Sequence, residues 1–136
     1  MGLGNEVLVV GGGPAGLAAA IAARKKGFQV TVADAAKPPI DKACGEGLMP
    51  GSLAALQALG ISIDSNDGRV FRGIRFLDEA TSAEARFSDE DGVGVRRTVL
   101  HQKMVEQARG CGIDFLWNTP VTGISKDGAI VGGKRI

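Results

Sequence analysis

Residues 7–34 read VLVVGGGPAGLAAAIAARKKGFQVTVAD, an order of strand, glycine turn, helix, strand and acid in which each piece has a physical reason for its place. Val7, Leu8, Val9 and Val10 form a short apolar run closed by glycine, the pattern of a strand buried on both faces of a parallel sheet. Gly11 is expected to make the tight exit turn and Gly13 to admit a diphosphate where a Cβ would block it. Gly16 is expected to bring the helix against the strand. Pro14 suits the first helical turn, where an N–H has no intrahelical acceptor and the fixed φ of proline is already near helical. The free amides of that turn and the positive end of the helix dipole then face an anion. The dipole contributes about 0.3–1 kcal/mol per charge, and each charge-assisted hydrogen bond about 1.5–3 kcal/mol. Leu17, Ala18, Ala20, Ile21 and Ala22 give the helix a small apolar face, Arg24, Lys25 and Lys26 occupy its last turn, and Gly27 ends it. Val30 and Val32 mark a second strand. Asp34, eighteen residues beyond Gly16, stands where a carboxylate accepts ribose hydroxyls and repels a 2′-phosphate. A glycine-rich turn alone fits any α/β protein. With the second strand and the acid in register, it predicts a site for an ADP-containing dinucleotide.

Composition narrows the class. A chain of 136 residues is one domain long and can bury roughly two-thirds of its unfolded surface. Its 44% hydrophobic and 23% charged residues are those of an ordinary globular protein. A net charge of +1 gives no reason to expect nucleic acid or anionic lipid as the main partner. No apolar run is long enough for a transmembrane segment. The start MGLGNE lacks a basic region followed by an apolar one, and Glu6 replaces the Ser or Thr of a myristoylation signal, so the cytoplasm is the default location. Cys44 and Cys111 lie too far apart for a metal motif or a disulfide framework, and no metal site is expected. Aromatic residues at 4% argue against base stacking as a binding mode, and the 21 glycines show no period, so they mark turns.

After Asp34 a Pro/Gly-rich loop, residues 37–51, leads to a short helix built on Leu53, Leu56 and Leu59. Residues 70–77 and 83–87 read as strands, with turns at Thr81-Ser82 and at residues 89–92. Helical spacing returns at Thr98, an expected N-cap, with Leu100, Met104, Ala108 and Cys111 on one stripe and Gly110 near the stop. Residues 113–117 read as the returning parallel strand. Residues 121–124 and 129–131, joined across Asp127-Gly128, read as a hairpin or the start of a meander. The stretch between the second and the returning strand is too long for a bare loop and must carry structure of its own.

Three segments go further: VVGGGPAGLAAA at 9–20 with Asp34, DKACGEGLMP at 41–50, and VRRTVLHQKMVEQARGCGI at 95–113. With them the sequence resembles, over residues 7–136, the N-terminal part of FAD-dependent oxidoreductases of the geranylgeranyl reductase and aromatic-ring monooxygenase group. The resemblance implies an α/β, Rossmann-like FAD/NAD(P)-binding fold with a parallel sheet, a β-rich insertion and a C-terminal hairpin or meander. The nucleotide motif would span 5–34, the insertion about 35–96, and the returning helix, strand and meander 97–136. It implies that FAD is the cofactor, with its diphosphate on Gly11, Gly12, Gly13, Pro14, Ala15 and Gly16 and its ribose on Asp34 and Ala35. The loop with Cys44 and Gly45 would run beside the isoalloxazine, Arg97 beside the diphosphate and ribityl chain, and the backbone at Val121 would hold the adenine. Members of the group continue into an Asp-Gly segment, a later Gly-Asp motif and a sheet over the substrate. None follows here, so the chain is expected to be a partial FAD-binding domain, weakly active or inactive alone.

A flavin carries hydride and one-electron chemistry itself, while the protein supplies binding, orientation and electrostatics. No residue is assigned a catalytic role. Cys44 reads either as a redox-active thiol or as an ordinary cysteine, and Glu46 as an acid near the flavin or as a solvated residue between glycines. Arg97 reads either as a cofactor contact or as a local cap or ion-pair partner. His101 falls off the apolar stripe and is expected at the surface rather than as a base. The resemblance implies a small-molecule substrate and reduction by NAD(P)H or another electron donor, with hydroxylation of an aromatic ring or reduction of an isoprenoid double bond. An NAD-dependent dehydrogenase shares the glycine turn and Asp34, and a noncatalytic nucleotide-binding module stays open too. The long insertion and the CGEG loop weigh against the dehydrogenase.

Overall fold

A computed structural model describes residues 6–136; residues 1–5, with the expected start of the nucleotide motif at 5 and most of the MGLGNE leader reading, lie outside the described residues. In chain order the elements are β1 (Glu6–Val10), α1 (Pro14–Lys25), β2 (Gln29–Ala33), β3 (Gly47–Leu48), α2 (Pro50–Ala58), β4 (Gly68–Phe71), β5 (Gly73–Leu77) and β6 (Ser82–Arg86). There follow β7 (Gly92–Val95), α3 (Arg97–Gly110), β8 (Asp114–Leu116), β9 (Val121–Ser125), β10 (Gly128–Val131) and β11 (Lys134–Arg135).

The expected β-α-β unit forms. β1 and β2 run parallel with Val7 opposite Val30 and Val9 opposite Val32, and β8 joins the other side of β2 with Val32 opposite Phe115. β2 is therefore the central strand, and its Val30, Val32 and Ala33 are buried. β1 departs from the expectation of a strand covered on both faces. Among the described residues it is an edge strand paired with β2, half-buried along its middle, with Val10 50% exposed.

On one side of this sheet Leu17, Ala20 and Ile21 of α1 meet Met104, Val105 and Ala108 of α3, with Leu56 of α2 and Ile61 completing the core. Alanines on α1 let the two helices approach closely. On the other side Ala129 and Val131 of the β9–β10–β11 meander cover Ala33 and Leu8. Arg24 at the end of α1 does more than face the helix dipole: its guanidinium donates to the carbonyls of Cys111 and Phe28, joining the chain past α3 to the start of β2. Gly27, at φ 93°, takes the left-handed position expected beyond the helix.

The insertion carries its own structure, arranged differently from its expectation. The single strand expected over 70–77 is broken at Arg72: β4 pairs with β7, whereas β5 pairs with β6. The turn expected at Thr81-Ser82 lies slightly earlier, where the Asp78 amide donates to the Thr81 carbonyl at 2.8 Å and Ser82 already begins β6. Gly92, expected in a turn, opens β7, which sits between β3 and β4; glycine there leaves room for the Phe71 ring. The loop 37–51 contains β3 and the first two residues of α2.

Candidate functional site

The glycine turn is organised by what each amide and carbonyl finds. Gly11, at φ 105°, donates its N–H to the Ala33 carbonyl at 2.8 Å, so the chain leaves β1 still tied to β2. The Gly12 amide donates to Asp34 Oδ2 at 2.7 Å, and the Ala36 amide to Asp34 Oδ1 at 2.8 Å. The carboxylate at the end of β2 is thus oriented against the turn by one backbone N–H on each oxygen. Leu17 closes the first bond of α1 onto the Gly13 carbonyl at 2.9 Å. The amides of Gly13, Ala15 and Gly16 have no acceptor among the described residues, and Pro14 has no N–H to offer.

The glycines have separate reasons. A Cβ on Gly16 would penetrate the Gly11 carbonyl oxygen, so this position holds the helix against the strand exit as expected. A Cβ on Gly12 would lie 2.5 Å from Cζ3 of Trp117, a residue the sequence reading left without a role. Gly13 has an extended backbone, φ −76° and ψ 177°, that any residue adopts. The nearest atom to a Cβ there would be Nη2 of Arg97, 3.7 Å away. Only the space between the turn and that guanidinium calls for glycine at 13, a cradle that a side chain would fill.

Arg97 is brought there by α3 and by the loop ahead of β3. Its Nε donates to the Ile40 carbonyl at 3.4 Å, and its own amide donates to Oε1 of Glu46 at 2.9 Å. Glu46, at φ 53°, also accepts the Val95 amide on its backbone carbonyl at 2.7 Å. Its carboxylate therefore caps α3 from a distant loop. This corrects two expectations: α3 begins at Arg97 with Arg96 before it rather than at a Thr98 cap, and Glu46 is bonded rather than merely solvated. Cys44 is exposed and its Sγ accepts the Glu46 amide at 3.4 Å, a contact that shapes the same loop. Gly45 and Ala35 are exposed. Gly45 borders an open cleft of about 540 Å³ whose lining also includes Glu46, Met49, Phe71, Gly94 and Arg96. Val121 lies on the meander, half-buried against the Ala33 cluster and paired with Val131.

His101 overturns its expectation. It is fully buried, and Nε2 lies 2.8 Å from the Gly12 carbonyl oxygen. A carbonyl only accepts, so Nε2 carries the proton, and Nδ1 has no partner among the described residues. The buried stripe of α3 runs through His101, Met104, Val105 and Ala108, one residue around from the purely apolar stripe. Trp117 completes this layer. It stacks on Phe115 with ring centres 4.9 Å apart and meets His101 edge to face at 6.4 Å. Its position directly after β8 was the available signal. Among the described residues no cluster of His, Cys, Asp and Glu could hold a metal, and no helix is long and apolar enough to cross a membrane.

The family described as FAD binding domain matches residues 5–135, and the chain belongs to it. Menaquinone reductase of Mycolicibacterium smegmatis is 35% identical over 126 residues, which cover 90% of this chain and 31% of that protein. Among solved structures, 2-methyl-3-hydroxypyridine-5-carboxylic acid oxygenase superposes with a TM-score of 0.85 at 24% identity, over 99% of this chain and 38% of the other. A geranylgeranyl bacteriochlorophyll reductase-like protein from Thermoplasma acidophilum superposes at 0.77 and 24% identity, over 96% of this chain and 36% of its own. Those two likenesses establish a shared fold, the Rossmann-like flavoprotein architecture. FAD is the cofactor that the family binds. The chain spans about a third of the length of the relatives it matches.

Proposed function

We propose that this chain is the FAD-binding portion of a flavoprotein oxidoreductase, and that the glycine turn with Asp34 and Arg97 is where the cofactor sits. The observation that carries the reading is the open face of Gly13 against the Arg97 guanidinium, with Asp34 fixed across the turn. The amides of Gly13, Ala15 and Gly16 would receive the diphosphate at the N-terminus of α1, with Pro14 setting the helix start and Gly11 and Gly12 the turn. Arg97 would add a charged donor from the opposite wall. An ionised carboxylate offers about four acceptor positions. Asp34 has given one on each oxygen to the protein and keeps the others for the two ribose hydroxyls, beside Ala35.

The adenine would lie along the backbone at Val121, and the isoalloxazine along the loop of Cys44 and Gly45 beside the cleft. When bound, the flavin supplies hydride or one-electron chemistry. The residues of this chain bind and orient it, while Glu46 holds the Arg97 end of α3 in place. The substrate of such an enzyme is a small molecule, oxygenated or reduced with electrons from NAD(P)H or another donor. The reductase and oxygenase named above support that range of chemistry.

The test is a titration of the purified chain with FAD, read by flavin fluorescence and by melting temperature. Binding is expected to raise the melting temperature, and Asp34→Ala is expected to weaken binding by about 1.5–3 kcal/mol through loss of charged hydrogen bonds. Stabilisation by NAD with none by FAD would overturn the reading in favour of a dehydrogenase. Unchanged affinity in Asp34→Ala would remove that residue from the site.

A further inference from the structure

Gly12 is held on every side. Asp34 takes its N–H, the Trp117 ring closes over its Cα, and His101 of α3 donates to its carbonyl. The last of these contacts reaches past Gly12 itself. A trans peptide is planar, with C=O and N–H pointing in opposite directions. The imidazole that fixes the Gly12 carbonyl therefore also fixes the direction of the Gly13 N–H, one of the free amides of the cradle. The peptide joins two glycines, which adopt positive and negative φ about equally readily, so rotating that plane meets little local resistance. Rotated, it would present a carbonyl oxygen to the incoming diphosphate in place of an N–H.

We infer that His101 is a positioning residue of the FAD site, holding the Gly12–Gly13 peptide with its N–H toward the diphosphate. The inference rests on the proposed placement of the diphosphate at this turn. His101 is fully buried, so water does not compete for the bond. Removing the donor strands a carbonyl that recovers a partner most readily by turning outward. The unpartnered Nδ1 fits the same role, since the imidazole is engaged by one nitrogen only. No proton transfer is asked of it.

The experiment compares the wild-type chain with His101→Leu, His101→Gln and His101→Asn, measuring FAD and ADP affinity alongside circular dichroism and ligand-free melting. The amide nitrogen of Gln reaches the place of Nε2, whereas Asn reaches only that of Nδ1. Leu and Asn are expected to weaken both ligands about tenfold, and Gln to restore binding to within about threefold of wild type. A merely structural role would make affinity follow the melting temperature across all three variants, whereas the positioning role lowers affinity in Asn relative to Gln beyond what their melting temperatures account for. Equal affinity of Gln and Asn, or wild-type affinity in Leu, would overturn the inference, and the Gln and Asn pair decides should Leu not fold. A wild-type chain that binds neither FAD nor ADP would instead overturn the site on which the inference rests.

Discussion

The glycine turn and the β5–β6 hairpin are both tight reversals of the chain, yet they are held in opposite ways. At the turn, three separate elements converge on Gly12: the end of β2 through Asp34, α3 through His101 and the residue after β8 through Trp117. Along the hairpin every residue except Gly73 is exposed, with Phe76 at 72% and Leu77 at 74%. Its order comes from the ladder between its own strands and from the contact of Arg75 with Glu84 across them. Surface ion pairs of that kind contribute about 0–1 kcal/mol. The contrast teaches where substitutions act: at the turn a single added atom reaches several elements, whereas on the hairpin a whole side chain reaches almost nothing.

Gly16→Val is the strongest way to test this. Helix propensity changes little between the two residues, but the new Cβ would penetrate the Gly11 carbonyl, which cannot retreat without disturbing the turn. A loss on the order of 3 kcal/mol is expected from such overpacking, seen as a lower urea midpoint together with lost FAD binding. Wild-type stability would show that helix and strand exit tolerate separation. Gly13→Val divides the two effects. The backbone there accepts any residue, and the nearest atom to a Cβ is a guanidinium nitrogen at 3.7 Å. The chain is expected to melt close to wild type while FAD binding disappears. Retained binding would place the diphosphate elsewhere.

How far these features could be read beforehand follows from how local their causes are. The β1–α1–β2 unit was legible because Gly11, Gly16, Pro14 and Asp34 act within the unit. The cap of α3 was not, because Glu46 lies 51 residues ahead of the amide it accepts. His101 was placed at the surface because a stripe of apolar residues alone passes beside it. A histidine with a buried carbonyl to bond is as good a core residue at that position. Of β7 only Gly92 falls in an expected turn, and residues 93–95 carry no strand expectation because the glycines at 92 and 94 have no strand preference; its pairing with β3 and β4 on either side decides the matter. Of the candidate site, the turn and the acid are readable from spacing, and Arg97 only through resemblance. The tie between Gly12, His101 and Trp117 required the tertiary structure.

A smaller effect lies at the seam between α3 and the chain leading into β4. Lys103 bonds Asp67 at 2.9 Å, and the Asp64 amide donates to the same oxygen at 3.0 Å. The hydrogen bond from Lys103, followed by that of the Asp64 amide, lowers the Asp67 carboxyl below its ordinary 3.8. A carboxyl depressed on folding stabilises the folded chain above its unfolded pKa, and that stability is lost as pH falls through the lower folded value. Asp67→Asn is expected to be less stable than wild type at neutral pH and to converge with it as pH falls through the lowered folded value of the Asp67 carboxyl, as measured by urea unfolding across pH. A constant difference would show that packing, rather than charge, matters at the seam.

The smallest effect is expected at Phe76→Thr on the hairpin. Threonine keeps the strand preference of the position, and a side chain 72% exposed has little packing to lose. Stability should stay within about 0.5 kcal/mol of wild type, since exposed substitutions away from caps, networks and strained backbone rarely exceed that. Removing the ring also shrinks an apolar stripe that Phe76 shares with Ile74, two residues earlier on the same face of the strand and 38% exposed. Solubility should therefore rise even though unfolding is unchanged. A larger loss in the urea midpoint would mean that the ring is covered in solution, and the hairpin would then resemble the glycine turn in being held from outside itself.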